Sequence, residues 1–119
     1  MRAVIFDMDG VLTDSEPLIC RAATEMFAEL GLAVRPEDFI PFVGAGENRY
    51  IGGVAEKYRF PMDLPAAKKR TYEIYLSLVP DHLRAFPGAR ELVEACRKAG
   101  LKTAVASSAD PVKDRKSVV

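Results

Sequence analysis

Short apolar runs and longer helical repeats follow one another along the chain. Residues 2–6 (Arg-Ala-Val-Ile-Phe) form a β-branched and aromatic run that ends at Asp-Met-Asp-Gly, and residues 102–106 form a second short run that is mostly apolar. Continuous runs of this length are typical of buried strands. The pattern therefore predicts one strand just before Asp7 and another just before Ser107.

Apolar residues recur at helical spacing between the two predicted strands. Pro17 suits the first turn of the first helix, and Gly31 suits its C-terminal stop. A glycine-containing turn at 43–46 separates the next two helical pieces, and Pro65 and Pro80 bound the piece that follows. The predicted helical segments are residues 16–30, 36–42, 47–58, 65–80 and 89–99.

A strand, a helical region, a helix and a second strand predict a right-handed βαβ unit whose two strands are parallel neighbours. The remaining helices form a bundle inserted between them. The carboxyl ends of parallel strands share one edge of the sheet, and ligands of open α/β sheets bind there. We therefore expect Asp7, Asp9 and Ser107 to converge at this edge.

Asp7 and Asp9 stand two residues apart where the first predicted strand ends. One carboxylate could attack a phosphorus atom or bind Mg²⁺, while the other, with its pKa raised by its neighbour, could donate and recover a proton. Gly10 allows the loop to turn so that its N–H groups cradle phosphate oxygens. A polar strand exit without any function fits the same spacing equally well, and both interpretations stay open at this point.

Two other phosphate or metal motifs fit the sequence poorly. Asp7, Asp9, Gly10 and Glu16 match four positions of an EF-hand calcium loop, but its first ligand position would be Ile5, and a predicted strand enters the loop in place of a helix. The chain contains no Gly-Lys-Ser/Thr, so a P-loop is absent from the sequence.

Composition and charge limit the class of protein. The 119 residues are 49% hydrophobic and 29% charged, with 17 basic and 17 acidic residues, which excludes collagen, coiled coil and wholesale disorder. A net charge of zero gives no field for nucleic acid or an anionic membrane, so we expect no nucleic-acid partner. No apolar stretch reaches the length of a membrane span. We expect a soluble chain with no membrane insertion and no targeting signal, cytoplasmic by default.

Residues 6–16 (Phe-Asp-Met-Asp-Gly-Val-Leu-Thr-Asp-Ser-Glu) resemble the first signature of the haloacid dehalogenase (HAD) superfamily, in its β-phosphoglucomutase-like branch. Residues 105–108 (Val-Ala-Ser-Ser) resemble its second signature, and residues 86–89 its re-entry into the core. Residues 42–54 and 105–113 are also similar to a HAD domain of plant chloroplast proteins. That similarity implies a chloroplast location if a transit peptide is missing from this chain.

The resemblance implies an α/β fold with a partial Rossmann-like parallel sheet and an inserted small α-helical cap. The incomplete core would comprise residues 1–13 and 86–113, the cap with its connectors residues 14–85, and a tail residues 114–119. Two later signatures of the family, a lysine and a further acidic loop, do not occur in this chain, and Lys113 is too close to Ser107 to be that lysine. We therefore expect a chain truncated at its C-terminus.

The resemblance also implies roles for individual residues. Asp7 would be the nucleophile that forms an aspartyl-phosphate, and it would bind Mg²⁺. Asp9 would be the general acid and base and a further Mg²⁺ ligand through its carbonyl. Gly10, Ser107 and Ser108 would bind the phosphoryl oxygens. These roles predict a Mg²⁺-dependent phosphatase of a small phosphomonoester, with a small phosphorylated metabolite as substrate.

Cap residues would contact the part of the substrate beyond the phosphoryl group. Glu47, Asn48 and Arg49 follow the glycine turn and are candidates to contact a sugar or a second phosphate, and the basic run 68–70 is either another candidate or a solvated helix face. Ile19 and Glu47 stand where mutases of the branch carry histidine and arginine, so the resemblance favours a phosphatase over a phosphomutase.

Whether the isolated chain is an enzyme stays open. Without the two later signatures we expect impaired phosphoryl transfer. The alternative is a non-catalytic HAD fragment that acts as a binding or interaction module, with a protein partner on an exposed sheet edge.

Overall fold

A computed structural model describes residues 2–8 and 10–106 of the chain. They form two strands, four α-helices and one 3₁₀ helix, and this α/β composition confirms the predicted fold class. The elements in chain order are β1 (Ala3–Phe6), α1 (Glu16–Glu29), the 3₁₀ helix (Pro36–Phe42), α2 (Glu47–Lys57), α3 (Leu64–His82), α4 (Ala89–Lys98) and β2 (Lys102–Val105).

The two strands are parallel neighbours, as the βαβ pattern predicts. Ala3 lies opposite Lys102, and Phe6 lies opposite Val105. The Ala106 amide donates to the Phe6 carbonyl at 2.8 Å, which extends the pairing one residue beyond β2. The carboxyl ends of β1 and β2 therefore meet at one edge of the sheet.

The main hydrophobic core lies in the helical bundle, which is formed by residues that lie between the two strands in the sequence. α1 packs against α3, and α2 packs against both α3 and the 3₁₀ helix. The apolar residues of α1 fall on one face because they recur every three or four positions. The largest fully buried side chains of this core are Tyr75, Phe27, Phe39, Met26, Ile51 and Val54.

The sheet, in contrast, leaves large apolar side chains exposed. Ile5 of β1 is 70% exposed, Val105 of β2 is 57% exposed, and Leu92 of α4 is 55% exposed. Strands of a parallel sheet are ordinarily covered on both faces. A larger sheet around these two strands stays a prediction.

Two connecting segments run side by side between the sheet and the bundle. Thr13 and Ala85 form an antiparallel bridge. The Asp14 amide donates to the Arg84 carbonyl at 2.8 Å, and the Phe86 amide donates to the Leu12 carbonyl at 3.1 Å. The predicted boundaries at 13/14 and 85/86 fall at this pair of segments, while the division into core and cap itself stays a prediction.

One predicted helix end is wrong. α3 continues through Pro80 to His82, although Pro80 was expected to end it. A proline inside a helix removes the hydrogen bond of its own nitrogen. The last turn persists because the Leu83 amide donates to the Val79 carbonyl at 3.2 Å.

Cys20 and Cys96 are both free thiols. In the described part of the chain, no helix is long and apolar enough to cross a membrane.

Candidate active site

The loop that follows β1 is held by one carbonyl group. Met8 is buried, and its carbonyl oxygen lies within 3.2 Å of the amides of Val11, Leu12 and Thr13, which all donate to it. The Thr13 hydroxyl donates to the same oxygen at 3.4 Å. Several donors converging on one acceptor make a compact turn. The turn holds Asp7, the first residue after β1, at the edge of the sheet.

The Asp7 carboxylate is oriented by its own neighbour in the chain. Its side chain is exposed, and its Oδ1 accepts a hydrogen bond from the Met8 amide at 2.9 Å. A backbone donor restricts the rotation of a carboxylate. A nucleophilic or metal-binding role of the second oxygen, Oδ2, stays a prediction.

Gly10 occupies a position that suits glycine for two reasons. Its φ is +77°, in the left-handed region that other residues rarely adopt. A Cβ at this position would also lie 3.0 Å from Oε1 of Glu16. The Gly10 amide donates to the Thr13 carbonyl at 3.0 Å, which closes the turn.

Glu16 lies in the first turn of α1, beside the Gly10 loop. Its carboxylate lies beside Gly10 and also acts on Tyr50 of α2. Burial of the Tyr50 hydroxyl is the main reason that its pKa is raised well above its usual value, and Cys20 and Glu16 add to the effect. The sequence indicates Glu16 through its place in the EF-hand pattern and at the end of residues 6–16, and neither of these signals predicts its effect on Tyr50.

Three of the predicted phosphate and catalytic residues, Asp9, Ser107 and Ser108, lie outside the described residues. The strand ends that precede Asp7 and Ser107 do meet, through the hydrogen bond between Ala106 and Phe6. The predicted convergence is therefore observed for the strands, and the roles of the three side chains stay predictions.

The predicted cap residues Glu47, Asn48 and Arg49 form the first turn of α2. Arg49 Nη1 lies 2.9 Å from Oε2 of Glu56, and its guanidinium carbon lies 5.0 Å from the centre of the Phe42 ring. These contacts of Arg49 all lie within the helical bundle. None of these contacts of Arg49 is with Asp7.

The basic run 68–70 contacts neighbouring side chains of the bundle. Arg70 donates to both carboxylate oxygens of Glu29, at 2.7 and 2.8 Å, and to Glu73 at 3.2 Å. The hydrogen bond from Arg70 lowers the pKa of Glu29. Lys68 Nζ lies 5.8 Å from the centre of the Tyr72 ring. These contacts favour a solvated helix face over a substrate site.

The metal-binding potential of the loop rests on Asp7. A carboxylate oxygen is the ligand type that Mg²⁺ prefers. Within residues 2–8 and 10–106, no three His, Cys, Asp or Glu side chains cluster as a metal site. The described residues therefore fit part of a Mg²⁺ site, and Asp9, the second predicted ligand, lies outside them. An EF-hand is contradicted, because strand β1 enters the loop where that motif has a helix.

Comparison with known proteins matches this arrangement to one family. The sequence profile of the haloacid dehalogenase-like hydrolases matches residues 1–118. Protein SUPPRESSOR OF QUENCHING 1, chloroplastic, of Arabidopsis thaliana is 53% identical over 114 residues, which cover 93% of this chain and 11% of that protein. The phosphorylated carbohydrates phosphatase of Thermotoga maritima is 32% identical over 108 residues, covering 91% of this chain and 50% of that enzyme.

A solved structure supports the same fold. The crystal structure of CbbY from Rhodobacter sphaeroides in complex with phosphate superimposes with a TM-score of 0.81 at 24% identity, covering 98% of this chain and 55% of CbbY. The chain thus spans about half the length of the phosphatase and of CbbY, and a much smaller share of the Arabidopsis protein.

Proposed function

We propose that this chain, which belongs to the haloacid dehalogenase-like hydrolase family, contributes the nucleophile loop of a phosphatase that acts on a small phosphomonoester. The observation that carries the proposal is the position of Asp7, directly after β1 at the edge where the two parallel strands end, with one oxygen oriented by the Met8 amide. The similarity to a phosphorylated carbohydrates phosphatase supports the choice of substrate class.

The reaction would use two carboxylates in sequence. Asp7 Oδ2 attacks the phosphorus atom, the bond from phosphorus to the ester oxygen breaks, and Asp9 protonates the leaving alcohol. Asp9 then takes a proton from water, and the resulting oxygen nucleophile cleaves the aspartyl-phosphate to release inorganic phosphate. Gly10, Ser107 and Ser108 would hold the phosphoryl oxygens during both steps.

Mg²⁺ would be held by an Asp7 oxygen and by Asp9, since the first of these offers the oxygen ligand that the ion prefers. When bound, it supplies positive charge that stabilises the transferring phosphoryl group. Asp7 and Asp9 together are a small ligand set for an ion that prefers octahedral coordination, so we propose weak binding of the ion by these two residues and correspondingly impaired turnover.

The cap would select the substrate through residues 47–49 of α2. Ile19 is buried in the bundle core. An apolar residue there cannot shuttle protons, which favours a phosphatase over a phosphomutase. A small phosphorylated carbohydrate fits the proposal best. A chloroplast location is proposed from the similarity to the Arabidopsis protein.

The alternative, a non-catalytic module that binds a protein partner, is not favoured. The exposed apolar residues Ile5 and Val105 would provide its sheet edge. The matched family is one of hydrolases, and a matched relative is a phosphatase, so the comparisons support the enzyme over the module.

A phosphatase assay tests the proposal. The wild-type chain, Asp7→Asn and the control Asp81→Asn are compared with p-nitrophenyl phosphate and glucose 6-phosphate, in Mg²⁺ and in EDTA. We expect slow turnover of the wild type and of the control, a loss of at least about 100-fold in Asp7→Asn because the nucleophile is removed, and a loss in EDTA. Equal turnover in Asp7→Asn and wild type contradicts the proposal.

A further inference from the structure

The 3₁₀ helix and α2 form a hairpin, here called the cap hairpin (residues 36–57). Its tip is the turn at 43–46, in which Gly44 and Gly46 have φ values of +81° and +90°. At mid-height the Phe39 and Tyr50 rings stack, with centroids 4.7 Å apart. Near the tip the Phe42 ring lies under the guanidinium of Arg49. The tip thus presents the first turn of α2.

The base of the cap hairpin is closed around a buried carboxylate. Asp38 is 1% exposed. Its Oδ1 accepts from Lys57 Nζ at 2.5 Å, and its Oδ2 accepts from the Arg35 amide at 2.9 Å and from the Tyr58 hydroxyl. The Arg35 guanidinium adds a contact at 3.7 Å. These donors hold the pKa of Asp38 well below its usual range, with the hydrogen bond from Lys57 as the largest cause.

Burying the carboxylate of an ion pair, as with Asp38, is a poor way to gain stability, because apolar side chains of the same volume often serve as well. Its best-attested use is to fix one geometry among several. In the Asp38 cluster, Asp38 binds Lys57, which is 19 positions further along the chain, and Tyr58, which is 20 positions further. The cluster thus joins the start of the 3₁₀ helix to the end of α2. It therefore fixes how these two elements lie against each other.

α2 needs such a fixed partner. It has only 11 residues, its N-cap Gly46 makes no side-chain hydrogen bond, and two glycines, Gly52 and Gly53, stand in its middle. Isolated helices of this length are marginal in water, and each glycine weakens a helix interior by about 1 kcal/mol. The position of the first turn thus depends on contacts with the 3₁₀ helix and with α3.

We propose that Asp38 is a positioning residue: it fixes the 3₁₀ helix against α2, so that the Phe42 ring and Glu56 hold the guanidinium of Arg49 in one place, and it thereby sets the affinity of the cap for a phosphorylated carbohydrate. This inference rests on the proposed function. Asp38 itself does not touch the substrate in this account, since the 11 residues of α2 span roughly 16 Å and the Asp38 cluster lies at the far end of the helix.

Two measurements on the full 119-residue chain test the proposal, with Asp38→Asn as the variant. The first is the NMR shift of the Arg49 Nε proton, which the ring current of Phe42 displaces upfield. The second is the KM for glucose 6-phosphate beside that for p-nitrophenyl phosphate, which has no carbohydrate for the cap to hold. The matched control is Glu29→Gln, because Glu29 also accepts two hydrogen bonds from a cation, at 2.7 and 2.8 Å, but joins α1 to α3.

In Asp38→Asn we expect the Arg49 shift to move toward that of an unstructured arginine. KM for glucose 6-phosphate should rise about two- to thirty-fold, the range seen when a residue without ligand contact changes affinity. KM for p-nitrophenyl phosphate and kcat for both substrates should stay unchanged. Glu29→Gln should change neither readout. Tyr58→Phe, which removes one donor and retains Lys57, should give intermediate values and replaces Asp38→Asn if that variant does not fold.

Three results would overturn the proposal: an unchanged Arg49 shift in the variant, a moved shift with unchanged KM for glucose 6-phosphate, or equal changes in Glu29→Gln. If the wild type turns over neither substrate, the proposed function fails, while the Arg49 shift still decides whether Asp38 positions the guanidinium.

Discussion

Two adjacent glycines of α2 should respond in opposite directions to the same substitution. A Cβ at Gly52 would meet only the Leu64 side chain, at 3.8 Å, which is ordinary contact. A Cβ at Gly53 would lie 2.4 Å from Cε1 of Phe42 and would overlap the ring. Neither glycine has a positive φ. Gly52→Ala and Gly53→Ala therefore form a matched pair that differs in one contact.

The size of the difference follows from that contact. Alanine is more favourable than glycine in a helix interior by about 1 kcal/mol, and this gain applies to both variants. Forcing extra volume into a packed site costs about 1–3 kcal/mol, and only Gly53→Ala bears this cost. We expect Gly52→Ala to be more stable than wild type by about 1 kcal/mol, and the two variants to differ by about 1–3 kcal/mol.

Urea unfolding of wild type and both variants, followed by circular dichroism, measures the difference. With a denaturant slope of about 1–3 kcal/mol per molar urea, the midpoints of the two variants should differ by on the order of 1 M. Equal shifts in the same direction would refute the reasoning, because they would mean that the Phe42 ring does not pack against Gly53 and that the cap hairpin is open there.

Three further predictions concern stability. Gly10→Ala should lower the free energy of unfolding by about 1–2 kcal/mol, because the left-handed φ of +77° strains alanine. The double variant Gly10→Ala, Glu16→Ala should lose as much stability relative to Glu16→Ala, because the strain lies in the backbone. Asp38→Asn should flatten the pH dependence of urea unfolding in acid. In the folded wild type the pKa of Asp38 lies below its ordinary value of 3.8, so the stability that the ionised carboxylate contributes is complete above pH 3.8. This contribution is lost as the pH falls below 3.8, and the variant lacks it at every pH. Phe27→Ala should cost about 3–5 kcal/mol by the same assay, because the ring is 0% exposed and leaves a cavity.

The helices and strands are predictable because their signals are local. Helix 16–30 is observed as α1 (Glu16–Glu29), and helix 89–99 is observed as α4 (Ala89–Lys98). Both have an apolar face and a glycine stop, and these features act within a few residues of the chain. The end of α3 is mispredicted because a proline near the last turn removes only one hydrogen bond, and the neighbouring Leu83 amide keeps the turn closed.

The Asp38 cluster is not predictable in the same way. In the sequence, Asp38 is one of two acidic residues after Pro36, a pattern that is typical of the first turn of a helix. Its burial depends on Lys57 and Tyr58, which reach it only when α2 folds back. A local pattern contains no information on such a contact. The roles of Asp9 and Ser107 come from a family resemblance, lie outside the described residues and stay predictions.

The central claim is that Asp7 accepts a phosphoryl group. The most direct test mixes the 119-residue chain with acetyl phosphate and Mg²⁺, quenches in acid and maps the modified peptide by mass spectrometry. The account predicts the added mass of one phosphoryl group on Asp7, its removal by hydroxylamine, which cleaves acyl phosphates, and its absence in Asp7→Asn. No adduct in the wild type, or the same adduct in Asp7→Asn, would contradict the account.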